Sequence, residues 1–156
     1  MQRLTLVPVD KSHAVAMFPV LTDTALYSFT GGKPPRSVVD VERWFSALET
    51  RLSPDGSERW LTWIVQLIET STPIGYVQAT VKDHQADIAW LIGVNWQGRG
   101  YGGEAVAALM SWLDDNQIDN VTAHIHPDHK TSQRIAQGVN LQPSGVFHEG
   151  EEIWSR

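Results

Sequence analysis

Cysteine is absent from the chain, and with it go disulfides, thiolate metal ligands and a cysteine nucleophile. Basic residues are in the minority: 12 Lys and Arg face 18 Asp and Glu, a formal charge of −6. Proteins that grip phosphate backbones need a basic stripe to release counterions, so nucleic acid is not an expected partner. Long apolar runs are lacking as well. None approaches the ~20 residues that cross a bilayer, and the opening MQRLTLVPVD has neither the basic flank nor the apolar stretch of a secretory leader. The expectation is a cytoplasmic protein with no membrane partner.

What is present suits one folded unit. A length of 156 residues, 42% of them apolar, provides for a core, and a single domain over residues 1–156 is expected. The seven tryptophans either line a pocket or fill that core, the second being the commoner place for such rings. A mildly acidic surface makes an amine-bearing partner the natural one.

The chain opens on a strand pattern, Leu4 to Val7. A helical stretch near Ser12 to Phe18 follows, with further turns between Leu21 and Phe29. Gly31-Gly32-Lys33-Pro34-Pro35 breaks any element. Ser37 then caps a helix in which Val38, Val41, Phe45, Leu48 and Leu52 recur at helical spacing. From Trp60 the texture turns β-branched and aromatic. Trp60 to Ile68, Ile74 to Val81 and Asp87 to Val94, separated by turn residues, predict an antiparallel meander. Gly100 to Asn116 reads as a helix with the stripe Val106, Leu109, Met110 and Leu113. Val121 to Ile125 is a strand, Thr131 to Gln137 a short helix, and two short strands surround Val146 and Ile153. The layout is mixed α/β around one sheet.

The residues between the third meander strand and its helix, Gln97-Gly98-Arg99-Gly100-Tyr101-Gly102, carry the chemistry. A glycine-rich turn at a helix N-terminus presents several backbone N–H groups where the macrodipole favours negative charge, so it is suited to phosphate. Gly100 and Gly102 would let backbone approach such a group closely. The glycines alone fit a plain turn equally well. Gly98, Gly100 and Gly103 also match the dinucleotide fingerprint. That fingerprint expects a parallel βαβ unit and an acid at the end of the second strand; here the preceding strand closes a meander, and Asp119 comes before the next strand. No G-K-[ST] follows, which excludes a P-loop.

With its preceding strand, the segment Gln97 to Gly102 resembles the Q/R-x-x-G-x-G/A signature of the GNAT superfamily of N-acetyltransferases. Gly100-Tyr101-Gly102-Gly103-Glu104-Ala105 is similar to the G-Y-x-x-E-A form of its RimJ/RimL-like branch, which acetylates ribosomal-protein N-termini. Val121 to Ser132 resembles that branch's strand, loop and N-x-x-S segment, with His129 where the family carries Asn, and Val139-Asn140-Leu141 stands where it ends in "GF". The resemblance implies an α+β acyl-CoA N-acyltransferase fold: one mixed, mostly antiparallel sheet, splayed at its centre and flanked by helices.

It also implies acetyl-CoA as cosubstrate and direct transfer to a primary amine, that of a protein N-terminus, an amino acid or a small amine. Such transfer draws on proximity and on general acid–base help. By the same resemblance, backbone groups of Ile92 and Val94 would hold the pantetheine arm, and Gln97, Gly98, Arg99, Gly100, Tyr101 and Gly102 the pyrophosphate. His129 would face the arm. Asp87 falls where some members carry a catalytic carboxylate, with His148 and Glu149 as rivals; read without the resemblance, Asp87 is a solvated strand-end acid. Ser132 matches the serine near the sulfur and also reads as a helix N-cap. The family's C-terminal Tyr acid has no counterpart. A homodimer is a common assembly among such relatives. The alternative to an enzyme is a non-catalytic CoA-binding regulatory or interaction module with the same fold. His124, His126 and His129 cluster in sequence, but no carboxylate or thiolate completes a ligand set, so no metal is expected.

Overall fold

Alternation governs the middle of the chain. In the computed structural model, which describes residues 2–156, β2 (Arg59–Leu67), β3 (Pro73–Lys82) and β4 (Gln85–Ile92) form the antiparallel meander. β1 (Leu4–Pro8) joins its outer edge against β2. On the other side β4 pairs in parallel with β5 (Asn120–Ile125), and the hairpin of β6 (Gln142–His148) and β7 (Glu151–Ser155) attaches antiparallel through β7. The sheet order is β1-β2-β3-β4-β5-β7-β6. One parallel pair in an otherwise antiparallel sheet follows from the helix between β4 and β5, since a parallel connection must cross over.

The two faces carry different helices. α3 (Tyr101–Asp115) and α4 (Lys130–Gly138) cover one. There Val106, Leu109, Met110 and Leu113 meet Val77, Ala86, Ile88, Ile92 and Val121 in the larger core. α1 (Ala14–Leu21) and α2 (Val38–Leu48) cover the other, closing Met17, Leu21, Val41 and Phe45 over Ile64. Ser37 caps α2 as expected, its hydroxyl accepting the Asp40 N–H at 3.2 Å. The predicted apolar stripe overruns, however. α2 stops at Leu48, and Leu52 is exposed and bridges Arg59 at the start of β2. Backbone pairing there outcompetes another helical turn.

β4 also ends two residues earlier than the sequence suggests, because Gly93 N–H closes on Ile74 O at 2.7 Å and the chain then turns through a single 3₁₀ turn, Val94–Trp96. Most consequential is the register of β4 with β5. Pairing runs from Gln85↔Asn120 to Ile88↔Ala123 and stops, although β4 continues to Ile92 and β5 to Ile125. The sheet splays into a V at this point.

Gly75 sits on β3 opposite Ile92, where a Cβ would run into the Leu91 carbonyl oxygen. Gly75→Ala should therefore force the β3–β4 ladder apart and destabilise the fold by about 3 kcal/mol, the cost of overpacking against backbone. Urea unfolding measures this, and a midpoint unchanged from wild type would show that the ladder yields freely.

Candidate functional site

Beyond Ile88 the β4 edge from Ala89 to Ile92 has no strand beside it on the β5 side. Because the N–H of Gly93 points to β3, alternation turns the N–H and C=O of Trp90 and Ile92 toward the opening. The Gln97 amide reaches back and donates to Ile92 O at 2.8 Å, while Gln97 N–H donates to Val94 O at 3.3 Å. Gln97 thus ties the turn to the open strand. The carbonyls of Ile92 and Val94 are both engaged by it, and the N–H of Ile92 is left on the opening.

The glycine loop follows. Gly98 and Gly100 have φ of +77° and +84°, a left-handed conformation that disfavours side chains. Gly100 is the N-cap of α3 and offers no side-chain cap, and Glu104 N–H is the first to find the Gly100 carbonyl, at 3.1 Å. The N–H groups of the first turn therefore point outward without intrahelical acceptors. Gly102 also has a packing duty that its place in the motif did not suggest. A Cβ there would strike Ile135 of α4 at 2.8 Å, so this glycine serves the packing of α3 on α4.

A brace under the loop has no warning in the sequence. Arg3 donates from Nε to Glu104 Oε1 at 2.9 Å and from a guanidinium nitrogen to Arg99 O at 3.0 Å, and its guanidinium lies over the Tyr101 ring at 4.3 Å. Glu104 also accepts the N–H groups of Arg3 and Leu4 at 2.9 and 3.2 Å. The glutamate of the G-Y-G-G-E-A segment thus fastens the edge strand to the loop. Burial raises the Glu104 carboxyl, but the Arg3 bonds and charge outweigh it and hold the group below its ordinary value of 4.5. Separation in sequence hides this pair, 101 residues apart.

Ser132 and His129 stand on the α3/α4 side of the V. Ser132 is buried in α4 and does not cap it; the N-cap is His129. The Ser132 hydroxyl accepts the Trp90 indole N–H at 3.3 Å across the opening, and His129 Nε2 lies 3.3 Å from the same oxygen. Phe29, from the segment between α1 and α2, stacks on His129 with centroids 4.7 Å apart and planes 16° apart. Burial first, and His126 second, lower the His129 pKa, which disfavours the charged ring in this stack.

Asp87 occupies the opposite face. Ala86 and Ile88 point into the larger core, so Asp87 projects toward the α1/α2 side, as do Thr122 and His124 on β5 by the same alternation. Asp87 Oδ1 accepts the Thr122 hydroxyl at 2.8 Å and lies 3.4 Å from His124 Nε2. It is half-exposed, yet it is bound to its neighbours and is not the free strand-end acid of the simplest reading. His148, exposed at the end of β6, sets its ring edge-on to His124 at 6.0 Å. Glu149 is in the following turn, 85% exposed. His126 has left the strand: β5 ends at Ile125, and His126 Nδ1 accepts the Asp128 N–H at 3.0 Å. His124 therefore parts from the other two, which both pack on Phe29. Among the described residues no three His, Cys, Asp or Glu side chains come together as metal ligands.

On that face a cavity of about 410 Å³ is lined by Asp87, Thr122, Thr80, Lys82 and Gln85 among others. A second hollow of about 230 Å³, walled by Trp44 and Trp60, shares Thr80 with it. The three tyrosines are engaged elsewhere. Tyr27 donates to Leu21 O, Tyr76 packs on Trp44, and Tyr101 lies under Arg3.

Residues 3–142 match the family model described as the acetyltransferase (GNAT) domain. Among curated proteins the uncharacterized N-acetyltransferase YnaD of Bacillus subtilis (strain 168) is 25% identical over 77 residues, which cover 46% of this chain and 45% of that one. The chain thus aligns with just under half the length of that relative. Among solved structures, AAC(6')-Ib with ribostamycin and coenzyme A has a TM-score of 0.78 at 17% identity, covering 99% of this chain and 92% of that chain. A candidate ribosomal-protein-serine acetyltransferase of Vibrio cholerae gives 0.76 at 18%, covering 100% and 94%. An acetyltransferase of Thermus thermophilus gives 0.78 at 21%, covering 99% and 97%. At these identities the structural likenesses speak for the fold.

The Arg3–Glu104 clasp has a pH signature. A carboxylate whose folded pKa lies below its unfolded value stabilises the fold above that value and loses the contribution as pH falls through the folded one. Glu104→Gln should cost about 1 kcal/mol at pH 7, and the gap between variant and wild type should close as pH drops below 4.5. Thermal unfolding across that range checks it; a gap independent of pH would mean that charge is irrelevant to the clasp.

Proposed function

The chain belongs to the GNAT family of acetyltransferases, and we propose that residues 1–156 act as one domain that moves the acetyl group of acetyl-CoA directly to a primary amine. The observation that carries this reading is the V itself. It runs from the outward N–H groups of the α3 N-terminus, past the unpaired β4 edge, to the Asp87 cluster. The residues suit the cosubstrate. Negative pyrophosphate oxygens match the free N–H groups and dipole of α3, beside Gly98, whose Cβ direction is open. The amide-bearing pantetheine arm matches the strand edge at Trp90, whose N–H and C=O both face the opening, and at Ile92, whose N–H does. His129 and Ser132 flank that path.

The thioester then lies at the fork, with acceptor access from the α1/α2 face. Fixing the two reactants there replaces a bimolecular encounter by a positioned one. The Asp87 cluster supplies the basic end of the site and Ser132 the hydroxyl beside the leaving thiolate. His148, more exposed and farther out, suits the rim where acceptors enter. Of the two hollows on this face, which meet at Thr80, one has Thr62 and Gln78 between Trp44 and Trp60 and the other reaches Asp87 and Thr122; their polar linings fit a polar, uncrowded amine. The G-Y-G-G-E-A segment favours the RimJ/RimL-like branch, hence a peptide N-terminus as the acceptor. Among the described residues no helix is long and apolar enough to cross a membrane, which suits a cytoplasmic setting.

Two measurements test the reading. A screen of acetyl-CoA against peptides beginning with Ala, Ser or Met, free amino acids and polyamines should release thiol above background with at least one amine class; tight CoA binding with no release across the panel would mark a non-catalytic module. Gly98→Asp tolerates the left-handed backbone and sets a charge by the pyrophosphate without touching any neighbour, so it should weaken CoA binding at least about tenfold, whereas Gly98→Asn should not. Equal affinities by calorimetry would remove the cosubstrate from this loop.

A further inference from the structure

Resting on the acetyltransferase reading, we propose that His124 takes the proton from the acceptor amine and that Asp87 is its positioning residue, itself held by Thr122. Three placements carry this. The parallel register sets Asp87 opposite Thr122, so His124, two residues on, is the next side chain on that face. It is also the first β5 residue beyond the last β4 pair, Ile88↔Ala123, and so stands at the fork, where transfer must occur. Its Nε2 lies 3.4 Å from Asp87 Oδ1, and that oxygen is fixed by the Thr122 hydroxyl at 2.8 Å.

A carboxylate against Nε2 favours the tautomer with the proton on Nε2 and leaves the Nδ1 lone pair free. The same carboxylate then stabilises the imidazolium that forms. As a class, imidazole is also better matched than a carboxylate to accepting a proton near neutrality. The His124 side chain is 31% exposed, open enough for an acceptor to approach. The groups facing it are Asp87 from β4, Thr122 from its own strand and the edge-on His148 ring from β6.

In the step, the amine nitrogen lone pair attacks the thioester carbonyl carbon and forms the C–N bond. The nitrogen proton passes to His124 Nδ1. The carbonyl π pair moves onto oxygen as the C–N bond forms and returns as the C–S bond breaks, its electron pair leaving on sulfur; the thiolate takes its proton from water beside Ser132. The imidazolium gives its proton to solvent at the exposed part of the ring, and the imidazole is ready again.

The experiment joins kinetics with a readout independent of turnover. With an amine accepted by the wild type, His124→Gln should lower kcat at least about 100-fold while KM for acetyl-CoA stays within about twofold, a split set by the role of binding terms. Imidazole added to His124→Ala should restore turnover in a saturable way. Asp87→Asn should lower kcat about tenfold in the wild-type background and have no further effect on His124→Gln, since it acts through the ring. Full activity of His124→Gln, or an equal Asp87→Asn loss in both backgrounds, would overturn the assignment. Long-range ¹H–¹⁵N correlation should find His124 protonated at Nε2 in the wild type and as a mixture in Asp87→Asn. An Nδ1-protonated ring in the wild type would overturn the proposal even if no amine in the panel were turned over, an outcome that would count separately against the acetyltransferase reading.

Discussion

Everything in this molecule that bears on function depends on a hydrogen-bond ladder that stops early. β4 and β5 are paired from Gln85↔Asn120 to Ile88↔Ala123 and then diverge. Backbone groups freed in a sheet interior are costly unless they find other partners. Here Gln97 takes one of them, the Ile92 carbonyl, and the rest of that edge has no strand beside it. The break gives the sheet a slot with a polar wall, and it separates the α3/α4 face, where Ser132 and His129 stand, from the α1/α2 face, where Asp87 and His124 stand.

The slot needs its upper rim held still. α3 begins on glycines with left-handed backbone, a flexible place to build a binding loop. Arg3 and Glu104 compensate, linking β1, the loop carbonyl of Arg99 and the first turn of α3 in one set of charge-assisted bonds. On the lower rim Trp90, Ser132, His129 and Phe29 form a continuous chain of contacts from β4 through α4 to the α1–α2 segment. Both rims are built by residues that lie far apart in the chain.

Much of the order of elements was legible from periodicity. The meander, the α3 stripe and the Ser37 cap are local patterns, and each forms where alternation or helical spacing places it. Ends were less legible, because they answer to partners: Leu52 left its helix to pair with Arg59, and β4 gave way to a turn at Gly93. The motif residues were visible, but their duties were not always the expected ones. Gly102 makes room for Ile135, Ser132 leaves the cap to His129, and His126 turns out of the strand that carries His124.

The family was readable along one dimension, through the glycine loop, the segment leading to Ser132 and the meander before them, because these are short-range patterns that keep their spacing. The sequence also establishes that nothing here depends on cysteine chemistry. Which side chains share a face at the fork follows from strand pairing alone. The register of β4 against β5 brings Asp87 to Thr122 and His124 across 35 residues or more, and no local preference encodes a parallel register. That register goes with a crossover, α3, that must pack across the face of the sheet to join the two strands, a property of the whole fold.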